Sequence, residues 1–370
     1  MPPQRAAPDA PLPRRAHAPL PRAAEPGLSA ARIRKGQGMA YQVIGIGNAI
    51  MDVIAPTTDA ELDRLGIHKG IMQLIDRERS EFLMAARETS DQRSRLIPGG
   101  SVANTLAGIG RLGLRTAFIG RVAEDDLGRA YARDMASDGT DFVNAPVAGA
   151  ALPTSRSIIY VTPDGERSMN TYLGVSGDLD RSDVDPTLFS DGTWLFLEGY
   201  LFDKDEGKAA FLKAAKACHA AGGKAGIALS DPFCVDRHRD DFRRLVAGPM
   251  DYVIGNVHEW QSLYQVEDLE EALRQAAADC GTVICTRSGE DAILIRDGER
   301  VAAPVRRIVP VDATGAGDQF AAGLIYGLAL GVPLAVAGRM GCIAAAEVIG
   351  HVGPRPERDL RADFRAEGLI

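Results

Sequence analysis

The chain is poor in the residues that build covalently or metal-held scaffolds. Its five cysteines, at 218, 234, 280, 285 and 342, include no C-x-x-C pair and are odd in number. That excludes a disulfide framework and offers no zinc pattern, so buried, reduced thiols in a cytoplasmic protein are expected. Basic charge is scarce too: 42 Lys and Arg stand against 50 Asp and Glu, a net −8. This is the wrong sign for a duplex nucleic-acid binder. Long hydrophobic runs are missing; the longest near the C-terminus, Phe320 to Leu330, is too short to span a bilayer. No G-x-x-x-x-G-K-[ST] occurs, which excludes a Walker-type phosphate loop. A small-molecule ligand, with neither nucleic acid nor membrane as partner, is what these absences leave.

What the chain has is size and rhythm. It holds 370 residues, 45% hydrophobic and 25% charged, enough for one large or two modest globular domains. Residues 1–38 stand apart, with 8 of the 21 prolines, seven basic residues and only Asp9 and Glu25 as acids. Such a segment cannot bury a core and reads as a disordered extension, with Met39 as the expected natural start. From Tyr41 onward short apolar runs alternate with amphipathic helical stretches, the pattern of an α/β sheet covered on both faces. Strands are predicted at Gln42–Gly47, Thr116–Gly120, Trp194–Leu197, Ala225–Leu229, Tyr252–Ile254 and Thr282–Thr286. Helices are predicted at Ser101–Leu112, capped by Ser101, and at Leu127–Ser137, Glu206–Ala221, Asp240–Val246 and Leu269–Cys280. Asp297-Gly298 reads as a hairpin turn. Two stretches break the rhythm, 55–98 and 149–175, the second resembling a β-hairpin around Pro163-Asp164-Gly165. They read as a small separate sheet, a lid, between pieces of a large domain at 39–54, 99–148 and 176–370.

Three motifs carry chemistry. Gly45-Ile46-Gly47-Asn48-Ala49-Ile50 begins like a dinucleotide fingerprint, but Ile50 occupies the third glycine position and more strand follows, so a nicotinamide site is rejected. Instead Asn48 and Asp52 offer an amide and a carboxylate for sugar hydroxyls. Gly99-Gly100 turns into a helix on which Asn104 faces back over the N-terminus. In VDATGAGDQFAAGLIYGL a strand IVPV is predicted to end at Asp312, glycines 315 and 317 permit unusual dihedrals, and an apolar helix begins at Asp318. Its free N–H groups make a backbone anion hole at Gly315, Ala316 and Gly317. A carboxylate beside an anion site is a conflict of roughly 4 kcal/mol at ~4 Å, unless it faces a different group.

GGSVANTLAGIGRLG and DATGAGDQFAAGLIYGL resemble the two signature regions of the ribokinase/PfkB carbohydrate kinase family, and the likeness spans residues 41 to about 360. The resemblance implies a ribokinase-like α/β sandwich with a mainly parallel central sheet and a small β lid. It implies transfer of the γ-phosphoryl group of ATP, with magnesium, to a primary hydroxyl, Asp318 being the base. Asn256-Val257-His258-Glu259 resembles the family's N-x-x-E, which puts Asn256 and Glu259 near phosphates and magnesium. Thr286-Arg287-Ser288-Gly289 resembles its nucleotide turn, departing from it at Ser288 and Asp291. Asp312 and Ala344–Gly353 correspond to the monovalent-cation site, K+, of some members. GIGNAIMDV, RSMNTYLG and LEGYLF are similar to stretches of adenosine kinases, with Met72, Leu74 and Leu173 available to face a purine. Adenosine is thus the expected acceptor; ribose or fructose, or a catalytically silent sensor, are the alternatives. The family implies a monomer or a homodimer.

Overall fold

The computed structural model describes residues 40–88 and 94–370. The expected N-terminal extension and the proposed start at Met39 lie outside the described residues.

Among the described residues, fourteen strands form two sheets. The large one has nine strands, in the order β14-β13-β12-β11-β10-β9-β1-β5-β6. Its members are β1 (Val43–Ile46), β5 (Thr116–Ile119), β6 (Thr140–Phe142), β9 (Trp194–Glu198), β10 (Lys224–Ala228), β11 (Tyr252–Asn256), β12 (Thr282–Arg287), β13 (Glu290–Arg296) and β14 (Glu299–Ala303). Pairing is parallel from β12 to β6; β13 and β14 add antiparallel at one edge through the turns at Ser288-Gly289 and Asp297-Gly298. Five further strands make the small sheet, ordered β3-β8-β7-β2-β4. They are β2 (Ile50–Pro56), β3 (Met72–Leu74), β4 (Arg95–Gly99), β7 (Ser155–Val161) and β8 (Arg167–Tyr172). The small sheet therefore begins at Ile50, and Asp52 sits within it.

Helices cover the sheets: α1 (Asp59–Leu65), α2 (Arg77–Glu88), α3 (Ser101–Arg111), α4 (Asp126–Ser137), α5 (Asp205–Ala220), α6 (Pro232–Arg237), α7 (Arg239–Val246), α8 (Val257–Tyr264), α9 (Leu269–Asp279), α10 (Ala316–Ala329), α11 (Leu334–Val348) and α12 (Leu360–Ala366). The central strands are apolar at their inner positions because each face meets helices, and polar residues stand at their ends. Ile44, Leu195 and Leu197 enter one core with Phe211 and Trp260. Val43 and Phe196 enter the other with Val102, Leu106, Phe320 and Ile325. Truncating Phe196, fully buried, would cost about 3–5 kcal/mol. α10 is buried from Gln319 to Leu328, as a helix apolar all round must be.

Three local expectations fail. Ile308–Val311 is not a strand; Pro304 and Pro310 have no N–H for a ladder, and the amides of Val311 and Asp312 donate to the Ile349 carbonyl at the end of α11. Ser101 does not cap α3; the cap is Gly100, and Ser101 is the first helical residue. α10 starts at Ala316 rather than Asp318. α1, α2, α6, α8, α11 and α12 have no counterpart among the predicted helices.

Candidate active site

Chain addition reverses direction at β1. β5 and β6 lie on one side of it and β9 to β14 on the other, and ligands of open α/β sheets bind outside the carboxyl ends of strands at such a reversal. Glu198 ends β9 there and is 1% exposed. Its carboxylate accepts from the Asn48 N–H at 2.7 Å, the Asn48 Nδ2 at 3.0 Å and the Val102 N–H at 3.1 Å. The Ser176 hydroxyl donates to Asn48 Oδ1 at 3.0 Å. Asn48 is thus turned into the framework, with Glu198 and Ser176 taking both ends of its amide. Burial pushes Glu198 up to about 7, against the Asn48 and Val102 N–H groups that favour its ionised form and with Asp318 adding repulsion.

β4 runs through Gly99 into α3. Gly100 has φ 98°, and a Cβ there would stand 2.3 Å from the Asn48 carbonyl oxygen, so only glycine closes this turn. The turn aims two α3 side chains at one carboxylate: Ser101 Oγ donates to Asp318 Oδ1 at 2.7 Å and Asn104 Nδ2 to Oδ2 at 3.0 Å. Thr105 Oγ1 donates to the Asp318 carbonyl at 3.1 Å. Burial raises Asp318 to about 6; the bonds from Asn104 and Ser101 hold it below where burial alone would set it. Gly315 caps α10 in the left-handed region at φ 79°, with the Pro354 Cα 2.6 Å from where a Cβ would be. The Ala316 N–H already donates to the Ala313 carbonyl at 3.2 Å.

Two cavities meet at Ser101. The larger, about 570 Å³, is lined by Asn48, Asp52, Gly100, Ser157 and Glu198 together with the apolar Met72, Leu74, Met169, Leu173 and Phe233. The smaller, about 180 Å³, is lined by Thr105, Ser230, Asn256, Glu259, Thr286, Gly317 and Asp318. Of the predicted acceptor set, Asn48, Asp52 and Gly100 line the larger cavity; of the predicted nucleotide set, Asn256, Glu259 and Thr286 line the smaller. Gly99 and Asn104 are not among the residues that line the larger cavity, and Ser288 and Gly289 sit exposed in the turn after β12. Asp52 is half-buried; burial lifts it to about 7 while Arg355 and Arg167 pull down and Asp318 pushes up.

Asn256 and Glu259 form a capping box on α8. Asn256 Oδ1 accepts from the Glu259 N–H at 3.0 Å, and Glu259 accepts from the Asn256 N–H at 2.8 Å and its Nδ2 at 2.6 Å. Glu259 is 5% exposed, and burial followed by Asp231 raises it to about 7 against the Asn256 N–H. Asp312 meets the 344–353 segment, but through donors: the Gly353 N–H at 2.9 Å and the Thr314 N–H at 3.0 Å, with the Arg167 guanidinium on the same carboxylate. Sequence reasoning missed Glu198, Arg167 and Arg355. Glu198 had a signal, an acid closing the otherwise apolar strand WLFLE, and Arg167 opens the stretch RSMNTYLG; Arg355 had none.

The sequence pattern of the pfkB family carbohydrate kinases matches residues 70–359. The chain belongs to this family. It is 41% identical to a probable sugar kinase from Rhizobium etli CFN 42, with a TM-score of 0.80 over 89% of this chain and 99% of that one. It is 40% identical to the adenosine kinase from Sinorhizobium meliloti, with a TM-score of 0.80 over 89% of this chain and all (100%) of that one. Among curated proteins, the fructokinase of Klebsiella pneumoniae is 29% identical over 70% of this chain and 87% of its own length. As a pfkB kinase the chain is a phosphotransferase with a hydroxyl acceptor, carried by a carbohydrate or nucleoside, and it has the mainly parallel ribokinase-like fold expected from its sequence.

Proposed function

We propose that the protein phosphorylates the 5'-hydroxyl of a ribonucleoside, adenosine being the first choice, at the expense of ATP. The observation that carries this reading is the mixed lining of the cavity of about 570 Å³: its polar groups suit a ribose, and its apolar groups, two methionines and an exposed Phe233 among them, suit a flat base. The likeness to the Sinorhizobium meliloti adenosine kinase supports it.

In this reading Asp52 and the Gly99-Gly100 turn receive the ribose hydroxyls, and Asn48 acts through Glu198 and Ser176. The small sheet serves as the lid, its Met72 and Leu74 over the base. Asp318, ionised near neutrality, takes the proton of the 5'-hydroxyl as its oxygen attacks the γ-phosphorus and ADP departs. The N–H groups of Gly315 and Gly317 receive the charge on the transferred group, and that of Ala316 joins them on releasing Ala313. Asp318 lines the smaller cavity and meets the acceptor at the junction marked by Ser101, so its carboxylate is taken up by the hydroxyl proton as the phosphoryl group arrives. Thr286 borders the nucleotide side, with Ser288 and Gly289 at its rim.

Magnesium, a hard ion that keeps several waters and takes one or two carboxylates, fits the oxygen set of Glu259 and Asn256; when bound it supplies positive charge for the phosphates. A monovalent cation does not fit at Asp312. The Arg167 guanidinium already sits on that carboxylate and provides the positive charge.

ADP release measured with adenosine, inosine, guanosine, ribose and fructose tests the proposal. Adenosine is expected to give the highest kcat/KM. Ribose or fructose ahead of adenosine would favour the sugar-kinase reading that the fructokinase likeness allows. Calorimetric binding without ADP release from any acceptor would favour a sensor.

A further inference from the structure

The segment between α11 and α12 carries a cation that the reaction as described does not use. Arg355 is 9% exposed. Its Nη1 pairs with Asp138, its Nη2 donates to the Pro98 carbonyl at 2.6 Å, and its Nε lies 3.5 Å from Asn104 Oδ1. Asp138 has a second cation, since Arg111 donates to its other oxygen, Oδ1, from Nε at 2.9 Å and from Nη2 at 2.7 Å. Two guanidinium groups on one carboxylate leave a positive charge in excess at a buried position. The contacts of Arg355 lead to the acceptor side. Pro98 is the residue before the Gly99-Gly100 turn. Asn104 accepts from Arg355 on one side and donates to Asp318 on the other, so a donor and an acceptor together fix which way its amide points. The preceding residue adds a clamp: Gln319 Nε2 donates to the Pro354 carbonyl at 3.0 Å and to the Asn104 carbonyl at 2.9 Å.

We propose that Arg355 is a positioning residue of the acceptor site. It pins the Gly99-Gly100 turn through the Pro98 carbonyl, orients Asn104 toward Asp318, and provides the charge that keeps Asp52 an acceptor for hydroxyl donors. The groups facing Asp52 agree with this. Burial raises its carboxyl, Arg355 is the foremost group opposing that, Arg167 from β8 assists, Asp318 from α10 acts the other way, and the Tyr131 hydroxyl of α4 also lies within its field. Without Arg355 the Asp52 pKa climbs further, so ionised Asp52 is lost at a higher pH and acceptor affinity falls with it. The inference deepens the function proposed above and rests on it.

The test uses Arg355→Met and Arg355→Lys in the full chain, with adenosine affinity read by calorimetry across the pH range and kcat and the KM for ATP read separately. Arg355→Met is expected to weaken adenosine binding about tenfold or more near neutral pH, to move the acid limb of that affinity up by about one pH unit, and to leave the KM for ATP within about twofold. Arg355→Lys restores the limb, because it keeps the charge, but binds adenosine several-fold more weakly because the planar fork is gone. Unchanged adenosine affinity and limb with a lowered Tm would mean that Arg355 only holds the fold, and would overturn the proposal. If Arg355→Met does not fold, Arg355→Lys decides, with wild-type affinity as the overturning result. Should the wild-type protein bind neither adenosine nor any other acceptor of the panel, the proposed function fails by itself. The Asp52 carboxyl titration, followed by carbon NMR in the ligand-free protein and assigned with Asp52→Asn, then tests Arg355 alone: an upward shift in the variant supports it and none overturns it.

Discussion

Ser101→Ala removes one hydroxyl at the place where the two cavities meet. In the native protein that hydroxyl donates to Asp318 Oδ1 at 2.7 Å, and Asn104 is left as the other side-chain donor to the carboxylate. A hydrogen bond to a charged group is worth about 1.5–3 kcal/mol, and one pKa unit corresponds to about 1.4 kcal/mol. The Asp318 pKa, raised by burial to about 6, should therefore climb by roughly one to two units in the variant. With a shift of one unit, the ionised fraction of Asp318 near pH 6 falls from about one half to about one tenth, a loss of about fivefold in rate; near pH 8.5 the loss is only a few per cent. The assay is ADP release under kcat/KM conditions for adenosine across this range, with the Tm recorded at each pH. A parallel drop at every pH would mean that Ser101 serves geometry alone. An unmoved acid limb would refute the reasoning that its hydroxyl tunes the base.

Other predictions rest on the same geometry. Asp318→Asn should lower kcat by about 10²–10⁴, the usual contribution of a general base, with adenosine affinity from calorimetry little changed; activity near wild type would remove Asp318 from that role. Asp52, Glu198 and Glu259 all have folded pKa values raised to about 7 from ordinary carboxylate values. The folded state therefore holds more protons than the unfolded chain between about pH 4 and pH 7, and stability falls as pH rises through that window. Thermal unfolding of the ligand-free protein should show a higher Tm near pH 6 than near pH 8, by an amount corresponding to about 1 kcal/mol per group; a flat or rising profile would contradict the burial of these groups. Replacing potassium by tetramethylammonium at constant ionic strength should leave the rate unchanged, because Arg167 occupies Asp312. A strong potassium requirement would show that this ion pair gives way during turnover.

Legibility followed the range of the interaction. β1, β9 and β12 were readable because their apolar runs report burial on two faces, and the turns at Gly100 and Gly315 because glycine marks backbone that other residues cannot adopt. N-x-x-E marked a real place for the same reason: its spacing is that of a capping box, here closed between Asn256 and Glu259. What escaped depends on partners far away in sequence. Asn48 was read as facing a sugar, yet its amide is turned to Glu198, 150 residues on, and to Ser176. Arg355 lies in a proline-rich connection that looks like surface, and only the packing of α3, α4 and α10 around it creates its role. Ile308–Val311 has strand-like residues, but two prolines and the pull of the Ile349 carbonyl keep it out of the sheet.

The most direct measurement is the identity of the phosphorylated product when adenosine and ATP are supplied together with magnesium. Phosphorus NMR of the reaction should show equimolar ADP and adenosine 5'-monophosphate, the new phosphorus coupled to the two 5' protons. ADP accumulating with no phosphorylated nucleoside, or phosphate on a ring hydroxyl, would contradict an acceptor site that presents the primary hydroxyl to Asp318.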